Sequence, residues 1–122
     1  MGKLILVVDD SFSMRRTLSI ALSGVGYEVI EASDGKAALD YLDGRKINLI
    51  ISDVHMPNMD GISFVKAAKK IQAYRFTPVI MLTTESDQKK IQEGKEAGIR
   101  AWIVKPFQPP ILLDAVSKLI TT

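Results

Sequence analysis

Five short apolar runs, separated by longer segments with helical spacing, organise this chain of 122 residues. Most of the runs are uninterrupted and rich in Ile, Val and Leu, which is typical of strands covered on both faces. Strands that alternate with helices predict a parallel sheet with right-handed crossovers and helices on both faces. The second run alternates Glu28 and Glu31 with Val29 and Ile30, so it is predicted at an edge. The predicted strands are Leu4 to Val8, Tyr27 to Ala32, Leu49 to Ser52, Val79 to Leu82 and Trp102 to Val104.

The segments between the runs carry residues that begin and end helices. Ser11 or Ser13 can cap the first helix, Asp34 begins the second, which is expected to end near Gly44, and Gly61 precedes the third. Two consecutive prolines begin the last helix, where a missing amide costs little. The inward-facing positions predicted for these four helices are Leu18, Ala21 and Leu22; Ala37, Ala38 and Leu42; Phe64, Val65, Ala68 and Ile71; and Ile111, Leu112, Ala115, Val116, Leu119 and Ile120.

The segment from Asp87 to Ala97 is the most polar of the predicted helices. It is rich in Lys and Glu and has only Ile91 and Ala97 as clear apolar anchors. This pattern predicts a helix that is held loosely against the sheet. Such a helix is either an ordinary solvated face or an element of low local stability that shifts in a switch.

Composition restricts the class of protein. An apolar fraction of 47% and a charged fraction of 25% are those of one globular domain, here expected over residues 1–122. The net charge of +2 is too small to indicate a nucleic-acid partner, and no stretch approaches the roughly 20 apolar residues of a membrane span. The chain has no cysteine, which excludes disulfides and thiolate metal sites. We therefore expect a cytoplasmic protein without membrane association, working as a monomer.

Four of the five runs end at residues that suit phosphoryl transfer. The first ends at Asp9 and Asp10, the third at Asp53, the fourth at Thr83 and the fifth at Lys105. Because parallel strands end at one edge of a sheet, these side chains are expected to converge where open α/β folds bind ligands. Crowded carboxylates favour Mg²⁺, and an aspartate oxygen beside that ion can attack phosphorus to form an acyl phosphate. The ammonium and the hydroxyl are suitable donors to the transferring oxygens.

The same residues lie in motifs that resemble a known family. The segments VDDS at 8–11, DVHMPNMDG at 53–61, TTE at 83–85 and KPF at 105–107 resemble the receiver domain of two-component response regulators. The resemblance covers essentially the whole chain, and the part from 83 to 107 is more narrowly similar to chemotaxis receivers of the CheY type. It implies a flavodoxin-like, doubly wound five-stranded parallel sheet of order 2-1-3-4-5 with five helices on its two faces. It also implies a single receiver domain without an output domain.

The resemblance implies a role for each acidic residue at the predicted edge. Asp53 is implied to be the phosphoacceptor. Asp10 and Asp53 would bind Mg²⁺ through their side chains, Asp9 mainly through water, and His55 through its backbone carbonyl. The ring of His55 is expected at the rim of the cleft, where it controls access.

Three residues from the second half of the chain complete the implied site. Lys105 is expected to pair with one phosphoryl oxygen and Thr83 with another, and the Lys105–Pro106 bond is typically cis in the family. Trp102 occupies the switch-aromatic position, where an outward ring turns inward when Thr83 moves. The alternative is an ordinary strand aromatic packed on the last helix.

The implied function is that of a phosphoprotein in signal transduction. It would take a phosphoryl group from a histidine kinase and switch its binding to a target protein, the flagellar motor switch of chemotaxis being the first choice. It would assist its own phosphorylation and dephosphorylation without being an enzyme for a separate substrate. The partner surface is expected to contain Lys89, Ile91, Trp102 and Lys118. The alternative is a phosphorelay intermediate that passes phosphate to a histidine phosphotransfer protein.

Two functions of other classes fit the sequence less well. A metal-dependent phosphohydrolase with an aspartate nucleophile requires an Asp-x-Asp pair after the first strand and a cap segment, and neither is present. A Rossmann-like nucleotide-binding module requires glycines that open a helix, whereas Gly24 and Gly26 follow one.

Overall fold

The computed structural model describes residues 2–120 and contains one five-stranded sheet. The strands are β1 (Leu4–Val8), β2 (Glu28–Ala32), β3 (Leu49–Ser52), β4 (Val79–Thr83) and β5 (Ala101–Val104). They are ordered β2-β1-β3-β4-β5, and every neighbouring pair is parallel. The predicted doubly wound order is therefore confirmed, and the run that contains two glutamates lies at an edge.

A helix follows each strand, as the sequence predicts. They are α1 (Phe12–Ser23), α2 (Gly35–Asp40), α3 (Gly61–Lys69), α4 (Gln88–Ala97) and α5 (Pro109–Leu119), with a 3₁₀ turn at Gln72–Tyr74. Four of them begin at a side chain that accepts a backbone N–H of the first turn, which satisfies an otherwise unpaired donor. These caps are Ser11, Asp34, Asp60 and Asp87. No helix within residues 2–120 combines the length and the apolar content needed to cross a membrane.

Two apolar layers lie on opposite faces of the sheet, because successive residues of a strand point to alternate sides. One layer contains Leu112 and Val116 of α5 together with the buried residues of α1. The other contains residues of α2 and α3, including the fully buried Phe64. Helix α4 belongs to this second face but holds only one buried residue, Gly94. The loose attachment predicted for this segment is thus present in the structure.

Two helices end earlier than the sequence analysis predicts. Helix α2 ends at Asp40, so Leu42 reaches the core from the loop that follows the helix. Helix α3 ends at Lys69, and Ile71 lies in extended backbone just before the 3₁₀ turn. In both places the apolar residue packs on the core, so the burial pattern continued past the end of the hydrogen-bonded helix.

The prediction that Ile111 is buried is wrong. Its side chain is 56% exposed, whereas Leu112 and Val116 are fully buried. These two residues are one turn apart and define the inward stripe of α5. Ile111 lies about 100° around the helix from Leu112 and so falls beside that stripe.

Alanine substitutions at Leu112 and at its neighbour Ile111 should distinguish a core position from a surface position. Leu112→Ala is expected to lower the free energy of unfolding by about 2–5 kcal/mol, because a fully buried Leu loses its apolar burial and leaves a cavity. Ile111→Ala should change it by no more than about 0.5 kcal/mol. Urea unfolding followed by far-ultraviolet circular dichroism measures both. Equal losses in the two variants would contradict the packing of α5.

Candidate functional site

Three carboxylates converge at the carboxyl edge of the sheet. Asp9 and Asp10 follow β1 and Asp53 follows β3, and these two strands are parallel neighbours. One carboxylate oxygen from each residue lies within 4.8 Å of the other two. Asp9 and Asp53 are buried, whereas Asp10 is exposed. The cluster is therefore an acidic cleft that opens to solvent beside Asp10.

The ammonium of Lys105 joins the two buried carboxylates. Its Nζ donates to Asp9 Oδ2 at 2.8 Å and to Asp53 Oδ2 at 3.1 Å. Burial alone would lower the pKa of Lys105, but its hydrogen bonds to Asp9 and Asp53, and their charges, outweigh burial and raise that pKa. The stabilisation from this group is complete below the ordinary pKa of lysine and is lost only as the pH rises through the raised value.

The position of Lys105 follows from strand pairing. Strand β5 pairs with β4, and the backbone N–H of Lys105 donates to the carbonyl of Thr83 at 2.8 Å. The Lys105–Pro106 peptide bond is cis, as the resemblance implies. The lysine thus leaves the sheet at the same edge as the carboxylates, although it stands far from them in sequence.

The backbone around Asp53 is held by a close approach of the loop before α3. A Cβ at Gly61 would lie 1.9 Å from the carbonyl oxygen of Asp53, so only glycine fits there. The N–H of Gly61 donates to the carbonyl of Val54 at 2.8 Å, and Asp60 caps the helix that follows. In the sequence, Gly61 indicates only that the third helix follows it. Its position in the DVHMPNMDG segment was the signal available.

Thr83 and Trp102 are connected through the backbone of Glu85. The hydroxyl of Thr83, whose side chain is fully buried at the end of β4, accepts the N–H of Glu85 at 3.2 Å. The carbonyl of Glu85 accepts the indole N–H of Trp102 at 2.9 Å. A continuous set of hydrogen bonds therefore runs from the carboxyl end of β4 to the aromatic ring of β5.

The ring of Trp102 faces inward in this structure, which is one of the two positions expected of a switch aromatic. The ring is partly buried under α4, where a Cβ at Gly94 would come within 2.7 Å of its Cζ3 atom. The absence of a side chain at Gly94 leaves the space that the ring occupies. The alternative of packing on the last helix is wrong, because the ring lies with the apolar layer of the opposite face.

His55 makes a contact that sequence analysis did not predict. Its Nε2 lies 2.8 Å from Oε1 of Glu85, so the pair spans the gap between the segments after β3 and β4. The pKa of Glu85 is lowered, first by the backbone N–H of Asp87 and then by His55. The exposed ring fits the expected place at the rim of the cleft. Metal binding by the His55 carbonyl stays a prediction.

The residues predicted for a partner surface are only partly brought together. Ile91 and Trp102 line a shared cavity of about 110 Å³ between α4 and β5. Lys89 is exposed in the first turn of α4. Lys118 lies on α5, where it pairs with Asp114 at 3.0 Å, and does not line that cavity.

The donor set of the acidic cleft suits a hard divalent cation. Three carboxylates supply oxygen ligands only, which Mg²⁺ prefers. Their spacing lets them share one ion with small side-chain movements, and the exposed side of Asp10 leaves room for the waters that Mg²⁺ retains. The site fits the metal that sequence analysis predicts.

Comparisons with known proteins agree with this geometry. The chain matches the family described as response regulator receiver domain over residues 5–117. The chemotaxis protein CheY1 of Helicobacter pylori is 38% identical over 120 residues, which are 97% of each chain. The chemotaxis protein CheY4 of Vibrio cholerae has a solved structure that superposes with a TM-score of 0.93 at 45% identity, covering 98% of this chain and 100% of that one.

A third relative shows the same domain type inside a longer chain. The probable transcriptional regulator ycf27 of Cyanophora paradoxa is 40% identical over 118 residues, which are 97% of this chain but 48% of that protein. The family match, the sheet order and the residues gathered at its carboxyl edge agree. The chain belongs to the response regulator receiver domain family.

Proposed function

We propose that this protein is a response regulator in which Asp53 accepts a phosphoryl group from a histidine kinase in the presence of Mg²⁺. The observation that carries the proposal is the acidic cleft in which Lys105 bridges Asp9 and Asp53. This arrangement provides a nucleophile, a cation site and a donor for phosphoryl oxygens within one small volume. The protein transforms no separate substrate and is not an enzyme in that sense.

The side chain of Asp53 is held in place for attack on phosphorus. Its Oδ2 accepts from Lys105, and its Oδ1 accepts the backbone N–H of His55 at 3.3 Å. In the transfer, a carboxylate oxygen of Asp53 forms a bond to phosphorus while the bond from phosphorus to the kinase imidazole breaks. The electron pair stays on the imidazole nitrogen, and the product is an acyl phosphate on Asp53.

The remaining groups of the cleft stabilise charge. Lys105 transfers its hydrogen bond from the Asp53 carboxylate to an oxygen of the phosphoryl group, where negative charge develops. Mg²⁺ held by Asp9, Asp10 and Asp53 would supply electrostatic stabilisation of the same oxygens. The phosphorylated state then differs from the free state by added negative charge in a cleft that already contains the ammonium of Lys105.

A switch follows from the hydrogen bonds of Thr83. When its hydroxyl turns to a phosphoryl oxygen, the N–H of Glu85 loses its acceptor, and the carbonyl of Glu85 no longer holds the indole of Trp102 in one position. Helix α4 is the adjacent element, and because only Gly94 of it is buried, its movement sacrifices little packing. The phosphoryl charge therefore biases the α4–β5 surface.

The target is proposed to bind the surface of α4, β5 and α5, with contributions from Lys89, Ile91, Trp102 and Lys118. The cavity between Ile91 and Trp102 changes whenever the ring moves, which couples target binding to phosphorylation. Two relatives named as chemotaxis proteins support the flagellar motor switch as that target. We place this activity in the cytoplasm and assign it to a monomer.

Phosphorylation can be tested with a small donor. Incubation with acetyl phosphate and Mg²⁺ should add one phosphoryl group, detected by intact mass, and chelation of Mg²⁺ should prevent it. Asp53→Asn should remain unmodified, because the amide is not a nucleophile for phosphorus. Asp60→Asn is the matched control, since Asp60 is an exposed cap that takes no part in the cleft. A phosphorylated Asp53→Asn protein would contradict the proposal.

The switch can be followed through the single tryptophan of the chain. Phosphorylation should change the fluorescence of Trp102, because its indole N–H is linked to Thr83 through Glu85. Thr83→Ala should still gain the phosphoryl mass but lose most of the fluorescence change. The exposed neighbour gives the control Thr84→Ala, which should respond like the unmodified sequence. A full response in Thr83→Ala would show that the ring is not coupled through this residue.

A further inference from the structure

The amino edge of the sheet carries an exposed aromatic ring between two cavities. Phe76 is 85% exposed, more than any other large apolar side chain within residues 2–120. It lines a cavity of about 410 Å³ on one side and one of about 350 Å³ on the other. Covering such a ring with an apolar side chain of a partner would lower the free energy, because apolar surface is removed from water.

Three cations surround the larger cavity. Lys69, Arg75 and Arg100 line it, and none of them forms an ion pair with a carboxylate of residues 2–120. Lys69 donates to the carbonyl of Thr77, which fixes its ammonium at the base of the cavity. Burial, and next the charge of Arg100, lower the pKa of Lys69. With Glu96 as the one carboxylate among the described residues that line this cavity, the cluster keeps a net positive charge.

This basic groove, defined by Lys69, Arg75, Phe76 and Arg100, is separate from the acidic cleft. It lies where β4 and β5 begin, whereas the carboxylates lie where the strands end. The five residues of β4 place the two edges roughly 16 Å apart at about 3.3 Å per residue. No residue of the phosphoryl-transfer site lines the groove. Arg100 also lines the cavity between Ile91 and Trp102, but Lys69, Arg75 and the exposed ring are not explained by the proposed function.

We propose that the basic groove binds an acidic segment of a partner protein, with an apolar side chain of that segment resting on Phe76. The three unpaired cations supply the charge complementarity, which directs encounter and selects acidic partners. The cavities on both sides of Phe76, of about 410 and 350 Å³, are large enough to admit side chains of an extended segment. Aromatic and arginine side chains are also those enriched at the centres of protein interfaces.

The details of the groove favour a peptide over the other polyanions. Glu96 lines the same cavity, and its carboxylate can accept a backbone N–H, a donor that an extended peptide has and a phosphodiester backbone lacks. The net charge of +2 is also small for a protein that binds nucleic acid. A lipid surface is flat and attracts longer runs of basic residues, whereas this site is concave and holds three cations.

Peptide probes of matched shape provide the test. A fluorescein-labelled Glu-Asp-Glu-Leu-Glu-Asp-Glu amide is titrated with the full chain and followed by fluorescence anisotropy. The neutral Gln-Asn-Gln-Leu-Gln-Asn-Gln amide is the comparison probe. The acidic peptide should bind at least about tenfold more tightly, and binding should weaken as salt rises, because exposed charges are screened. Binding to Asp53→Asn should be the same, since the groove lies at the opposite edge.

Variants identify the residues that hold the peptide. Arg75→Glu and Arg100→Glu should each weaken binding about tenfold, since each replaces an attraction with a repulsion. Phe76→Ala should weaken it through loss of the apolar contact. Lys36→Glu, a charge reversal at an exposed residue of α2 outside the groove, should leave binding unchanged. All of these positions are exposed, and circular dichroism melts establish that the variants are folded.

Several outcomes would overturn the proposal. Equal affinity for the acidic and neutral peptides would do so, as would acidic-peptide binding that survives both Arg→Glu changes. The proposal would also fail if a ten-nucleotide oligothymidine or phosphatidylserine vesicles bind through these arginines while the acidic peptide does not. Phosphorylation of Asp53 in Arg75→Glu, measured by intact mass, is read separately, so a failure here is distinguishable from a failure of the phosphoacceptor assignment.

Discussion

Repulsion among three carboxylates dominates the electrostatics at the carboxyl edge of the sheet. At a separation near 4.8 Å, two unit charges repel by about 3 kcal/mol when the effective dielectric constant is about 20. Asp9 and Asp53 remain buried in spite of this because Lys105 donates to both of them. Lys105 follows β5, which pairs with β4, so the sheet has to be complete before the acidic cleft is stable. The carboxylates of this cleft attract cations, and the ammonium of Lys105 can donate to the oxygens of a phosphoryl group.

The two sides of the cleft differ in rigidity. On the side of Asp53, Gly61 lies directly against the backbone carbonyl of Asp53, so this residue has little freedom. On the other side, α4 has a single buried residue, and Trp102 is held through backbone groups of Glu85. In the proposed function, a charge change at Asp53 moves the surface of the loosely packed α4. Chemistry and signalling are then carried by neighbouring segments with different packing.

Much of this architecture could be predicted from sequence because it depends on local patterns. Uninterrupted runs of β-branched residues specify buried parallel strands, and polar caps such as Asp34 specify where helices begin. The gathering of Asp9, Asp53 and Lys105 follows from one topological fact, that parallel strands end at the same edge. Burial of individual helix positions was less predictable: Ile111 and Leu112 are equally apolar, and only the direction of the sheet distinguishes them.

Local sequence patterns specify the order of elements, the chemistry available at the strand ends and the polar character of α4. Tertiary structure decided which groups meet across long stretches of chain: His55 with Glu85, the ring of Trp102 with Gly94, and the cations of the basic groove with one another. Helical and strand periodicity specifies which way a side chain faces on its own element. It carries no information on the distance between side chains of different elements, which packing sets only when the sheet and both helical layers are assembled.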